Sequence, residues 1–185
     1  SEPMACRGCA AKLPAQHLEA ALDQAGLSGP PEDAARIEGD PPLLQSVDGF
    51  PALVSDPWLN ARLTTLHACS DLWASGARVD SAQAIVTLPV LEAAEQQELL
   101  VQTLCGVRSV LEEQQAQLIG GHTLESRSEP PHSPSLGVQL SLCVNGRSAS
   151  PWNKGGIAHG DVLLLSRPLG TGVLFAAAMA GACQP

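Results

Sequence analysis

Apolar and polar residues alternate without a break from Leu136 to Val144, with Leu136, Val138, Leu140, Leu142 and Val144 on one side and Gly137, Gln139, Ser141 and Cys143 on the other. Period-two alternation marks a strand with one buried face. From Trp58 to Gly76 the period changes: Leu59, Leu63, Leu66, Cys69 and Trp73 recur at helical spacing, and the glycine supplies a stop. A longer, acidic and amphipathic helix is predicted over Leu91 to Gln115, with Gly106 as a tolerated interruption. Pro14 followed by Leu18, Ala21, Leu22 and Ala25, then Gly26, predicts a short helix with proline in its first turn. Leu43 to Asp48, Ala82 to Leu88 and Gln117 to Ile119 read as strands, which puts Asp48 at a strand end. Ser28 to Pro31 and the Pro-rich stretch Glu125 to Ser135 read as loops, and Asn145 to Gly160 as a linker. Beyond it a strand over Asp161 to Ser166, a turn over Pro168 to Gly172 and a helix from Val173 are predicted. One strand and one helix cannot bury both their faces, so residues from about 155 onward read as the beginning of a second domain. The division expected is 1–28 for an N-terminal arm and short helix, 29–150 for the first domain, and 151–185 for the linker and the opening of a second.

Composition narrows the function. With 185 residues, 44% hydrophobic and 16% charged, the chain is long enough for a core and not polar enough for global disorder. Two Phe, three Trp and no Tyr leave Leu, Val, Ile and Ala to fill that core. The same scarcity removes the stacking platforms of single-strand nucleic-acid binders, and a net charge of −9 opposes a phosphate backbone, so no nucleic-acid partner is expected. A phosphorylated small molecule remains compatible with that charge if divalent cations lie between carboxylates and phosphates. No apolar run reaches the ~20 residues of a membrane helix, and no basic region followed by an apolar segment opens the chain. The six cysteines read as reduced thiols, and the expected location is cytoplasmic.

Three groups of residues could carry chemistry. Cys6-Arg7-Gly8-Cys9-Ala10-Ala11-Lys12 joins two thiols to one of only two lysines in the chain. Cationic neighbours lower a thiol's pKa and meet phosphate charge. Half a zinc site and an incidental pair of tail thiols are the alternatives. Asp33, Asp48, Asp56 and Asp71 would enter from a loop, a strand end, a helix-entry loop and a helix, an arrangement suited to the oxygen ligands of Mg²⁺. On the predicted helix Thr64, His67 and Asp71 form a polar stripe, which could equally be a solvated face. Gly120-Gly121-His122-Thr123 offers close backbone approach to an anion and a hydroxyl donor, with a plain turn as the alternative. There is no P-loop, and Gly170-Thr171-Gly172 lacks the third glycine of a dinucleotide fingerprint.

Taken in order, these segments resemble the selenophosphate synthetase (selenide, water dikinase) family of the aminoimidazole ribonucleotide synthetase superfamily. Gly8 to Leu13 is similar to its N-terminal Cys/Lys motif, Glu32-Asp33-Ala34-Ala35 to its Asp-Asp-Ala-Ala segment, and Leu44 to Phe50 to its Gln-Thr-Thr-Asp-Phe-Phe strand. Ser55-Asp56-Pro57 resembles its Asp-Asp-Pro, Ala68 to Gly76 its Ala-Leu-Ser-Asp-Val-Tyr-Ala-Met-Gly helix, and Gly120 to Thr123 its phosphate-contacting loop. Gly160 to Gly172 is similar to the opening of its second domain. The resemblance implies an α+β fold, a mixed sheet with helices packed on one face, the sheet pairing with that of a second subunit into a barrel. It implies conversion of ATP, selenide and water to selenophosphate, AMP and phosphate. Cys9 would handle selenium or act as nucleophile, Lys12 would meet the transferring phosphoryl group, Asp33, Asp48, Asp56 and Asp71 would hold Mg²⁺, and Gly120, Gly121, His122 and Thr123 would join Lys12 at the nucleotide. The implied partners are ATP, selenide and a second copy of the chain.

Glu32 and Ser55 replace aspartates of the family pattern, and His67 stands where the family usually has Asn. The lead-in through Cys6 looks like the variant in proteins that fuse this enzyme to a flavin-dependent oxidoreductase. A different ATP-dependent synthetase or kinase of the superfamily, and a non-catalytic dimerisation or thiol metal-binding module, are the other readings the residues leave open.

Overall fold

The computed structural model describes residues 14–27, 29, 32–126, 137–179 and 181–182. The elements run α1 (Ala15–Ala25), β1 (Ala35–Ile37), β2 (Leu43–Phe50), α2 (Pro57–Ala74), β3 (Arg78–Leu88), α3 (Ala93–Glu113), β4 (Gln117–Glu125), β5 (Gln139–Arg147) and α4 (Thr171–Met179). The five strands form one mixed sheet in the order β1-β2-β5-β3-β4. Only β3 and β4, joined through α3, are parallel, as a helical crossover requires; the other neighbours are antiparallel.

Alternation in β5 buries Leu140, Leu142 and Val144 under the helices and turns Ser141, Cys143 and Asn145 to the other face. The core between sheet and helices is aliphatic, with Leu72, Val79, Val86, Val107, Val110, Leu111, Leu140, Leu142 and Val144 fully buried. α2 contributes small or short side chains, Asn60, Ala61, Thr64, Thr65, Ala68, Cys69 and Leu72, to this layer. The Thr64 and Thr65 hydroxyls donate back to the carbonyls of Asn60 and Ala61, so burying them leaves no orphan donor. Thr64 is thus a core residue and not part of a solvated stripe.

α3 buries Thr103, Gly106, Val107, Val110 and Leu111 at helical spacing. Gly106 is more than a tolerated interruption. A Cβ there would lie 2.8 Å from the Ala61 Cβ and 3.2 Å from the Arg62 nitrogen, and closer still to the Trp58 carbonyl oxygen, so the absent side chain is what lets α2 and α3 cross.

Two expectations are corrected. Gly120, Gly121, His122 and Thr123 form neither a turn nor a loop: they are the middle of β4, which runs on to Glu125 and carries a register shift opposite Ala82 and Gln83. The segment Asp161 to Ser166 is not a strand; Val162, Leu163, Leu164 and Leu165 are exposed, and no strand among the described residues lies beside them to complete a ladder. α1 has no buried residue, and Gly26 closes it in the left-handed conformation at φ 70°. Among the described residues no helix is long and apolar enough to cross a membrane.

Candidate functional site

β2 and α2 lie antiparallel at the edge of the core, and two polar rungs join them. The Ser46 hydroxyl donates to Asp71 Oδ2 at 2.6 Å. Asp48 Oδ2 lies 3.3 Å from His67 Nε2, and the imidazole stacks on Phe50 with ring centroids 4.8 Å apart. The rungs fit because two residues of strand and four of helix both advance ~6–7 Å. The other Asp48 oxygen accepts from the Gly49 amide at 2.9 Å, and the carboxylate is only 14% exposed. Alternation along β2 and the four-residue repeat of α2 therefore place Asp48 and Asp71 side by side on regular elements. A third contact extends the row, the Leu53 amide donating to the buried Asn60 side chain at 2.8 Å.

Asp33 sits just before β1 at the same end of the sheet. Its Oδ1 is 2.8 Å from Lys154 Nζ, and the Lys154 amide donates to Glu32 Oε2 at 3.2 Å. The hydrogen bond to Asp33 raises the Lys154 ammonium above the ordinary lysine range; desolvation opposes this, and the charges of Asp33, Glu32 and Asp71 add to it. The ammonium thus pairs with Asp33 and feels the charges of Glu32 and Asp71 from farther off. The segment carrying it is fixed by the Trp152 amide, which donates to the Ser75 carbonyl at 3.0 Å. Beside it a cavity of about 560 Å³ is lined by Glu32, Ala34, Arg36, Leu44, Ser75 and Trp152, a size usual for small-molecule sites.

The other predicted residues lie elsewhere. Asp56 is the N-cap of α2, its Oδ1 accepting from the Leu59 amide at 2.8 Å; fifteen residues of helix put it ~22 Å from Asp71. Gly121 and His122 line a depression of about 350 Å³ with Val47, Gln83, Ile85 and Cys143 on the face of the sheet that the helices leave open. His122, paired with exposed Ile85, is thus on the sheet face opposite the helices, whereas Thr123 is paired with buried Val86 and turns to the helix side. Cys6, Cys9 and Lys12 lie outside the described residues.

Carboxylate oxygens are the donors that Mg²⁺ takes, one or two to an ion when phosphates supply the rest. Among the described residues no three His, Cys, Asp or Glu side chains are gathered closely enough to chelate one. Ser46 and Lys154 escaped the sequence reading as site residues. The only signal for Lys154 was its rarity, and for Ser46 its place two residues before Asp48 on a strand.

The model of the family "AIR synthase related protein, N-terminal domain" matches residues 31–145. Curated relatives include a selenide, water dikinase of Nitratidesulfovibrio vulgaris strain DP4, 36% identical over 154 residues, with 81% of this chain and 41% of the relative covered. A selenide, water dikinase of Bdellovibrio bacteriovorus is 30% identical over 181 residues, covering 91% of this chain and 49% of the relative. The chain spans about half the length of the curated relatives it matches. Among solved structures, the thiamine monophosphate kinase of Aquifex aeolicus shares the fold at TM-score 0.58 and 16% identity, over 75% of this chain and 45% of that one. AaThiL complexed with AMPPCP and TMP does so at 0.62 and 16%, over 80% and 48%. With more than half its length matched, the chain belongs to the AIR synthase related protein family and carries that family's N-terminal domain.

Proposed function

We propose that this chain is the ATP-binding N-terminal part of a selenide, water dikinase, making selenophosphate, AMP and phosphate from ATP, selenide and water. The reading is supported by the match to the family's N-terminal domain and by the two rungs between β2 and α2, Ser46 with Asp71 and Asp48 with His67, which set two carboxylates beside each other. Asp33, Asp48 and Asp71 would hold Mg²⁺ one or two to an ion, with phosphate oxygens of the nucleotide supplying further ligands; Asp56 stands apart and orients α2. Bound there, the ion would neutralise triphosphate charge that a chain of net charge −9 otherwise repels. Ser46 fixes the Asp71 carboxylate and His67 that of Asp48, so both are oriented before nucleotide arrives. Lys12 meets the transferring phosphoryl group and Cys9 presents selenium, both from the N-terminal arm.

Val47 and Ile85 stand 69% and 51% exposed on the open face beside His122. We assign that face to a second copy of the chain, the two sheets closing into a barrel and placing Gly120 to Thr123 of one subunit where the nucleotide of the other can be reached. The exposed run Val162 to Leu165 belongs to the opening of a second domain, and the Cys6 lead-in to a version allied with a flavin-dependent oxidoreductase, in the cytoplasm.

The test is made in the complete protein. Cys9→Ser and Lys12→Ala should abolish selenide-dependent AMP formation with the thermal midpoint and Mg²⁺-ATP binding retained, whereas Asp48→Asn and Asp71→Asn should each weaken calorimetric Mg²⁺-ATP binding about tenfold or more. Cys6→Ser should be milder than Cys9→Ser. Equal loss from the two cysteine variants with stoichiometric zinc, or unchanged nucleotide affinity in both aspartate variants, would overturn the assignment.

A further inference from the structure

After β5 the chain turns back across the C-terminal end of α2 and forms part of the wall of the cavity beside β1. The Trp152 amide donates to the Ser75 carbonyl at 3.0 Å and the Lys154 amide to Glu32 Oε2 at 3.2 Å, so this short segment is held at both ends. The Trp152 ring lies over Gly76, where φ is +71° and a Cβ would come within 2.9 Å of ring carbon Cδ2, so position 76 requires glycine on both counts. The indole is thereby set against backbone, yet the residue is 67% exposed and lines the cavity. Buried Ala34 and Leu44 add apolar wall to the space of about 560 Å³. Glu32 and Arg36 contribute one charge of each sign, and Asn153 a neutral amide. An aromatic ring, an apolar wall and balanced charges suit a flat, uncharged heterocycle better than an ion. The cavity also adjoins the carboxylates. Glu32 directly precedes Asp33, and Ser75 lies one turn of α2 beyond Asp71, to whose carbonyl its hydroxyl donates at 2.8 Å.

We propose that this cavity takes the base of the nucleotide, stacked on the Trp152 indole and read by the Asn153 amide, with the phosphates leading out at the carboxylate end. The inference rests on the reading of the chain as an ATP-binding protein and adds where the base sits and which base is preferred. Stacking on an aromatic side chain supplies affinity for any base, since every base has a π-face. Because Gly76 and the two amide hydrogen bonds already fix the indole, little ordering cost is left for binding to meet. Discrimination falls to Asn153. An amide carries a donor and an acceptor side by side and matches the amino group and N7 of adenine, whereas the corresponding edge of guanine offers O6 and N7, two acceptors, and can use only the donor. Trp152 is therefore an affinity residue and Asn153 a specificity residue for an adenine nucleotide.

Calorimetry on the complete protein compares Mg²⁺-ATP, Mg²⁺-GTP and Mg²⁺-tripolyphosphate, which has the phosphates without the base. Trp152→Ala should weaken Mg²⁺-ATP about tenfold or more, as expected for loss of a base–aromatic stack, and leave tripolyphosphate unchanged, which also shows that the variant is folded. Trp152→Phe should keep most of the ATP affinity. Wild type should favour ATP over GTP by about tenfold, and Asn153→Ala should narrow that ratio. Unchanged ATP affinity in Trp152→Ala, or an equal loss of ATP and tripolyphosphate, overturns the base site; if Asp71→Asn still weakens ATP binding, the nucleotide reading stands without it. A wild-type protein that binds no ATP overturns both.

Discussion

Replacing Gly106 by alanine sets two effects of opposite sign against each other. Alanine is favoured over glycine inside a helix by ~0.8–1 kcal/mol, so on propensity alone Gly106→Ala stabilises α3. The crossing with α2 says otherwise. Ordinary carbon–carbon contact is ~3.5–4.0 Å, and the new methyl would stand 2.8 Å from the Ala61 Cβ. Its other neighbours are the backbone of Trp58 and Arg62, which cannot rotate away. α3 must retreat by ~1 Å, and Val107, Val110 and Leu111, all fully or almost fully buried, lose contact with the layer beneath. Overpacking of this kind costs ~1–3 kcal/mol; an overlap with rigid backbone belongs near the upper end, so the net expectation is a loss of ~1–2 kcal/mol after the propensity gain. For a chain of this size that lowers the thermal midpoint by ~2–8 °C. Urea unfolding followed by circular dichroism measures it as a lower midpoint with unchanged slope. An unchanged or raised midpoint would refute the crossing argument.

Burial pushes the Cys69 thiol from its ordinary 9.0 up to about 11. The folded state therefore holds its proton longer than the unfolded state, so the associated stability is complete below pH 9 and is lost as pH rises toward 11. The thermal midpoint of wild type should fall more steeply across that window than that of Cys69→Ala; parallel curves would count against it. Sedimentation of the chain at micromolar concentration should give a dimer, and Ile85→Glu on the open face a monomer with native circular dichroism; a monomeric wild type contradicts the assigned partner.

The strand now seen as β5 was legible because it holds one period for long enough that burial on one side is the sole solution. The helix bearing Asp71 was legible as a helix but not by its buried face: of Leu59, Leu63, Leu66, Cys69 and Trp73 only Cys69 is buried, and Asn60, Ala61, Thr64, Thr65, Ala68 and Leu72 fill the core with it. Asp48 was legible as a candidate from its place on a strand, and Asp71 from a stripe with Thr64 and His67 whose spacing alone leaves its facing open and whose Thr64 is in fact buried. β1 was not, since Ala35, Arg36 and Ile37 are all exposed and carry no alternation. The Gly-Gly pair reads as a turn from local propensity, but pairing with β3 holds it extended, a tertiary contact overriding a local preference. Lys154 meets Glu32 across 122 positions of chain, and no short-range pattern encodes such a contact.

Among the described residues β5 is the last strand in sequence, yet it lies between β2 and β3. A chain emerging from the ribosome therefore holds β1-β2 and β3-β4 as two separate pieces, each offering an open strand edge, until Arg147 has been made. At ~5–20 residues per second the stretch from Leu88 to Arg147 takes ~3–12 s, an interval during which apolar edges are unguarded and other nascent copies could add to them. Synthesis rate through this stretch, and the holding chaperones it meets, should consequently govern yield more than any residue of the carboxylate site. A stalled or truncated product ending before β5 is a candidate for aggregation and not a smaller working domain.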